Sequence, residues 1–81
     1  MNINVEAFYA KLAEILDVET VQPDSVLRDF EAWDSLSVLS LLAMVDAKYG
    51  ITLKPAELAK VKLAQELAEL VELKIASRSG N

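Results

Sequence analysis

Val5, Phe8, Leu12, Ile15 and Leu16 recur at helical spacing, while Glu6, Lys11 and Glu14 lie off that stripe. With Asn4 as a natural N-cap, the pattern predicts a first helix ending at about Asp17. From Val18 to Trp33 the apolar residues Val21, Val26, Leu27, Phe30 and Trp33 keep no sustained period. This is a long loop, with Val26, Leu27 and Phe30 expected to tuck beneath the helices and Ser25 placed to cap a single turn. A second helix is expected to open at Asp34 and run to about Tyr49, where Gly50 supplies the stop. Ile51-Thr52-Leu53 reads as an extended link, and Pro55 suits the first turn of a brief third helix ending near Lys60. A last helix is expected from near Leu63 to near Ala76, burying Leu67, Leu70 and Val71 with Glu66, Glu69 and Glu72 outside. The expected architecture is all-α: three main helices, one short third helix, and a long loop between the first two. One domain spans 1–76, and 77–81 reads as a flexible tail.

The second helix carries more apolar surface than one face can bury. At about 100° per residue, Val38, Leu41, Leu42, Val45 and Tyr49 share an arc suited to the core. Leu36, Leu39, Ser40, Ala43 and Ala47 fall on another side. Two readings stay open at this point. Either that second side is an exposed partner face, or the helix is central and buried all round. A small domain seldom encloses a helix completely, which favours the partner face.

Composition narrows the chemistry. The chain has 81 residues, 53% of them hydrophobic, enough for one thin core. Cysteine and histidine are both absent, which removes disulfides, thiolate and imidazole metal sites, and every Ser-His or Cys-His catalytic pair. No metal site is expected. A net charge of −5 disfavours nucleic acid and anionic membranes and favours partners presenting Lys or Arg. Without a long apolar run or the zones of a signal peptide at Met1-Asn2-Ile3-Asn4, a cytoplasmic monomer with no stable membrane insertion is expected.

Candidate chemistry therefore gathers at the head of the second helix. Backbone N–H groups there lack intrahelical partners and lie at the positive end of the dipole, so a phosphate on Ser35 would sit in a favourable field. Asp34 is placed to cap the helix and leave the Ser35 hydroxyl outward. An isolated Asp-Ser-Leu is a weak signal, because both leading residue types cap helices routinely. Its position after a long loop, heading the most apolar helix of a short acidic chain, strengthens it.

With those features placed, the chain resembles the acyl carrier proteins from helix one to about Glu72. The resemblance is carried by Asp34-Ser35-Leu36, the preceding loop with Leu27 and Phe30, the ending Tyr49-Gly50-Ile51, and Pro55 opening the third helix. It implies that Ser35 receives 4′-phosphopantetheine from coenzyme A, with Asp34 and Leu36 belonging to the recognition motif. The arm's thiol would hold an acyl group as a thioester, so the protein would present a substrate and catalyse nothing. The implied partners are a phosphopantetheinyl transferase, an acyl-loading ligase or synthase, and acyltransferases. Leu36, Ser37, Leu39, Ser40, Ala43, Met44 and Ala47 form the expected partner face. Leu42, Val45, Leu53, Leu58, Val61 and Leu67 are the candidate lining of an acyl pocket, each also readable as ordinary core.

Four departures stand out. Ser37 and Ser40 occupy positions often acidic in fatty-acid carriers, Lys48 accompanies Asp46, Trp33 precedes the motif without the usual nearby Gly, and Leu63 stands where a capping Thr is common. They point to a specialised fatty-acid, polyketide or lipid/polysaccharide pathway. An arm-less interaction module and an aminoacyl carrier loaded by an adenylating ligase are the alternatives.

Overall fold

The computed structural model describes residues 3–79. Helix α1 spans Val5–Leu16, α2 Ser35–Tyr49, α3 Pro55–Leu58 and α4 Ala64–Ser79, with a 3-10 turn at Leu27–Asp29 inside the long loop. No strand occurs among the described residues beyond a single bridge between Val26 and Leu63. The expected all-α architecture is what forms.

Local chemistry accounts for the helix ends. The Asn4 side chain accepts from the Ala7 N–H at 3.1 Å and starts α1. Asp17 ends it in the left-handed conformation with φ 58°, tolerable for Asp, and Gly50 ends α2 the same way with φ 68°. Phe8, Leu12, Leu16, Leu27, Leu41, Val45, Leu67 and Val71 form the fully buried centre of one core. Side chains from α1, α2, α4 and the long loop therefore share the apolar burial that holds this small domain together.

Several expectations need correcting. Val5, on the α1 stripe by spacing, is exposed because it is the first residue of the helix and no turn precedes it. Val26 is exposed rather than tucked under, while Val21 joins Leu27 in the core and Phe30 packs half-buried against it. The Ser25 hydroxyl accepts from the Gln22 N–H at 3.0 Å and closes a turn ahead of the 3-10 segment, whose own first residue has no side-chain cap. Helix α3 stops at Leu58. Helix α4 continues to Ser79, past the expected end at Ala76, since no breaker occurs before Gly80. Ser77–Ser79 are thus helical rather than tail, and Gly80 and Asn81 lie outside the described residues.

The long loop is docked along the α3–α4 connection. Leu27 N–H donates to Lys62 O at 2.9 Å, Ala64 N–H to Ser25 O at 2.9 Å and Gln65 N–H to Pro23 O at 2.8 Å. Arg28 adds two reaches, Nη1 to Val61 O at 2.9 Å and Nη2 to Ala59 O at 2.6 Å. The Leu27 and Arg28 bonds occupy carbonyls that follow α3, and the other two satisfy N–H groups left open at the start of α4. The loop thereby delivers Trp33 and Asp34 to the head of α2 from an anchored base.

Candidate functional site

Asp34 is the N-cap of α2, and its Oδ1 accepts from the Ser37 N–H at 2.9 Å. Ser37 answers: its Oγ accepts from the Asp34 N–H at 2.9 Å and donates to the Asp34 carbonyl at 3.0 Å. This reciprocal capping box turns the Asp34 carboxylate inward along the helix. It also settles the place of Ser37, expected on the partner face. Ser37 is only 7% exposed, on one line with buried Leu41 and Val45, because the box pulls its hydroxyl onto the cap.

Ser35 is the first helical residue, exposed, and its hydroxyl makes no hydrogen bond to another described residue. The backbone N–H groups of Ser35 and Leu36 also find no acceptor among the described residues, whereas those of Ser37 and Val38 go to Asp34 Oδ1 and Asp34 O. No acidic side chain stands in the first turn. An exposed nucleophilic hydroxyl over two open donors, at the positive end of a 15-residue helix, fits a phosphodiester well.

Beside it lies a small cleft of about 180 Å³ lined by Arg28, Trp33, Val38, Pro55, Leu58 and Ala59. Val38 is one turn on from Ser35 along the same side of α2. The cleft lies between the loop, α2 and α3. Of the six proposed pocket residues, Leu58 lines it; Leu42 is half-buried, and Val45, Leu53, Val61 and Leu67 are buried in the core. Sequence reasoning missed Arg28 and Trp33 as cleft residues. The position of Trp33 directly before the motif was an available signal for one. Arg28 reaches across 31 and 33 residues, which no local pattern reveals.

On the opposite flank of the motif, Leu36 and Leu39 are 73% and 61% exposed, and Ser40, Ala43 and Ala47 are exposed with them. Met44, expected in the same group, is half-buried against the core. Full burial of α2 is thereby excluded. Six of the seven expected face residues keep at least partial access to solvent, and Ser37 does not.

The family described as phosphopantetheine attachment site matches residues 6–71, a span that includes every element from α1 into α4. The chain belongs to that family. This carrier is also similar to the holo acyl carrier protein of Geobacter metallireducens, known from a solution NMR structure: 28% identity, TM-score 0.77, covering 95% of this chain and 91% of that one. No curated protein shows a significant match. The carrier is accordingly an acyl carrier protein by family and fold, non-catalytic, with covalent 4′-phosphopantetheine as its cofactor.

Proposed function

We propose that Ser35 is the attachment residue and that the carrier serves a specialised fatty-acid, polyketide or lipid/polysaccharide pathway in the cytoplasm. The observation that carries the attachment is the exposed Ser35 hydroxyl over the open N–H groups of Ser35 and Leu36. When bound, the group supplies a terminal thiol that holds an acyl chain as a thioester. Asp34 keeps the helix start rigid without occupying those donors. Leu36, Leu39, Ser40, Ala43 and Ala47 offer the transferase and the acyl-handling enzymes a shallow apolar and neutral face. The serines and Lys48 on this helix support recognition by shape and apolar contact more than by negative charge. The cleft of about 180 Å³ is smaller than typical ligand sites of roughly 300–1,000 Å³, so it suits part of the arm or a short cargo.

The test is intact mass after coexpression with a broad-specificity phosphopantetheinyl transferase. The wild type gains one phosphopantetheine mass and Ser35→Ala gains none. A wild-type chain left unmodified by several transferases would favour the arm-less module, and a modified Ser35→Ala chain would move the attachment elsewhere. The loading enzyme of the native holo-form separates an acyl from an aminoacyl carrier.

A further inference from the structure

A larger groove lies away from the cleft at Ser35, between α1 and the start of the long loop. It measures about 440 Å³ and is lined by Glu6, Tyr9, Ala10, Glu19, Val21 and Gln22, with Thr20 completing the loop wall. Its floor is apolar: Val21 is buried, and the half-buried Tyr9 ring is braced by Phe8 with centroids 6.0 Å apart. Its rim is acidic. Glu6 and Glu19 are exposed on opposite walls, one on the helix and one on the loop.

From α4, Glu69 and Glu72 add negative potential at the Tyr9 phenol, which burial first and these two carboxylates next push above its ordinary pKa. None of the four glutamates pairs with a described Lys or Arg; the ion pairs on α1 and α4 are Lys11–Glu14 and Lys74–Glu57. Two rim carboxylates, with Glu69 and Glu72 acting at the Tyr9 phenol, repel one another and raise the local attraction for a cation. A Lys or Arg side chain has the matching form, with an apolar stem for Val21 and Ala10 and a charged head for the tyrosine face and the carboxylates.

We propose that the Tyr9 groove is a second docking site, taking a Lys- or Arg-bearing segment of a protein partner, while the head of α2 remains free to present its cargo. The complementarity of an acidic rim and an aromatic floor to a basic, amphipathic side chain selects this occupant over a neutral one.

The experiment uses the holo-protein, ¹⁵N-labelled, titrated with a capped peptide of alternating leucine and arginine at about 0.15 M salt, where long-range attraction is screened. Expected are shifts concentrated at residues 6–10, 19–22, 69 and 72. Glu6→Gln combined with Glu19→Gln should weaken binding about fivefold, and the charge-matched pair Glu31→Gln with Asp46→Asn less than about twofold. Equal weakening by both pairs, or shifts centred on residues 35–47, would overturn the proposal. Mg²⁺ alone reproducing the same shifts and displacing the peptide would assign the groove to a divalent ion instead. Self-association that the groove pair abolishes and the peptide cannot compete would assign it to a second copy. All four substitutions are at exposed side chains, so the fold is preserved in every arm.

Discussion

At the start of α4, each of the first four backbone N–H groups donates to the protein: Ala64 to Ser25 O, Gln65 to Pro23 O, Glu66 and Leu67 both to Leu63 O. At the start of α2, Ser37 and Val38 are satisfied but Ser35 and Leu36 are not. The side chains differ in the same sense. Glu66 reaches backward so that Oε1 accepts from the Lys62 and Leu63 N–H groups at 2.7 and 3.1 Å, just ahead of the helix. Asp34 reaches forward to Ser37. Both ends use a carboxylate to meet a demand common to all helices. One end is closed by a neighbouring loop, and the other leaves two donors and a hydroxyl without a partner among the described residues. The distinction between a structural helix start and a site thus lies in which donors remain open, since the dipole is alike at both.

The sharpest way to break that comparison is to replace, in turn, Ser35 and Ser37, two of the three serines of α2. Ser35→Ala removes a hydroxyl that bonds to no described residue, so thermal stability should stay within about 0.5 kcal/mol while phosphopantetheine loading is lost completely. Ser37→Ala removes half of the capping box, so loading should persist while stability falls by about 1 kcal/mol, a drop of about 4–8 °C in Tm for a domain of this size. Calorimetry and intact mass on the two variants read the pair. Loading abolished by Ser37→Ala in a folded chain would mean that the hydroxyl of Ser37 takes part in more than the cap.

The α4 end offers a subtler effect that depends on pH. Its two backbone hydrogen bonds, Lys62 first, hold the Glu66 carboxyl below the ordinary glutamate range, and the Lys74 ammonium followed by the Lys54 N–H does the same for Glu57. A carboxylate with a lowered folded pKa contributes its stabilisation above the unfolded value and loses it as pH falls through the folded value. Glu66→Gln should therefore lower Tm at neutral pH, and the gap to wild type should narrow below about pH 4.5. Both carboxylates are half-buried and keep access to solvent, so the effect should also be smaller than that of Ser37→Ala. A gap that stayed constant from pH 7 to pH 3 would show that Glu66 acts by shape alone.

What the sequence revealed follows the range of the forces involved. Asn4, Asp34, Gly50 and Pro55 act on backbone groups within a turn of themselves, and the helix boundaries they set could be read directly. The place of Ser35 at the head of α2 is legible for the same reason. Ser37 was misplaced because a serine on an apolar period reads as outward, although its hydroxyl had a cap to return to. The docking of Pro23, Ser25 and Arg28 onto α4 and its approach joins residues more than thirty positions apart. Such contacts carry no periodicity. Neither the closed start of α4 nor the Arg28 wall of the cleft could have been foreseen from spacing.

The smallest effect on the fold separates the outer faces of the same two helices. Leu39 on α2 is 61% exposed and Leu73 on α4 is 68% exposed, so replacing either by Ser removes little buried area. Each variant should stay within about 0.5 kcal/mol of wild type. Their surroundings differ, however. Leu39 adjoins exposed Leu36 and Ala43 within one turn of the open donors, whereas Leu73 neighbours Glu69 and the Glu57–Lys74 pair. A transferase that must bring coenzyme A to the Ser35 hydroxyl has to cover the first of these surfaces and has no need of the second. Leu39→Ser should raise the transferase KM severalfold with kcat little changed, because the lost contact is to the helix face and not to the reacting hydroxyl. Leu73→Ser should leave both constants alone. Equal KM values for the two variants would mean that the enzyme reads the helix start without its apolar flank, and the open N–H groups with the Asp34-Ser35 turn would then be the whole address.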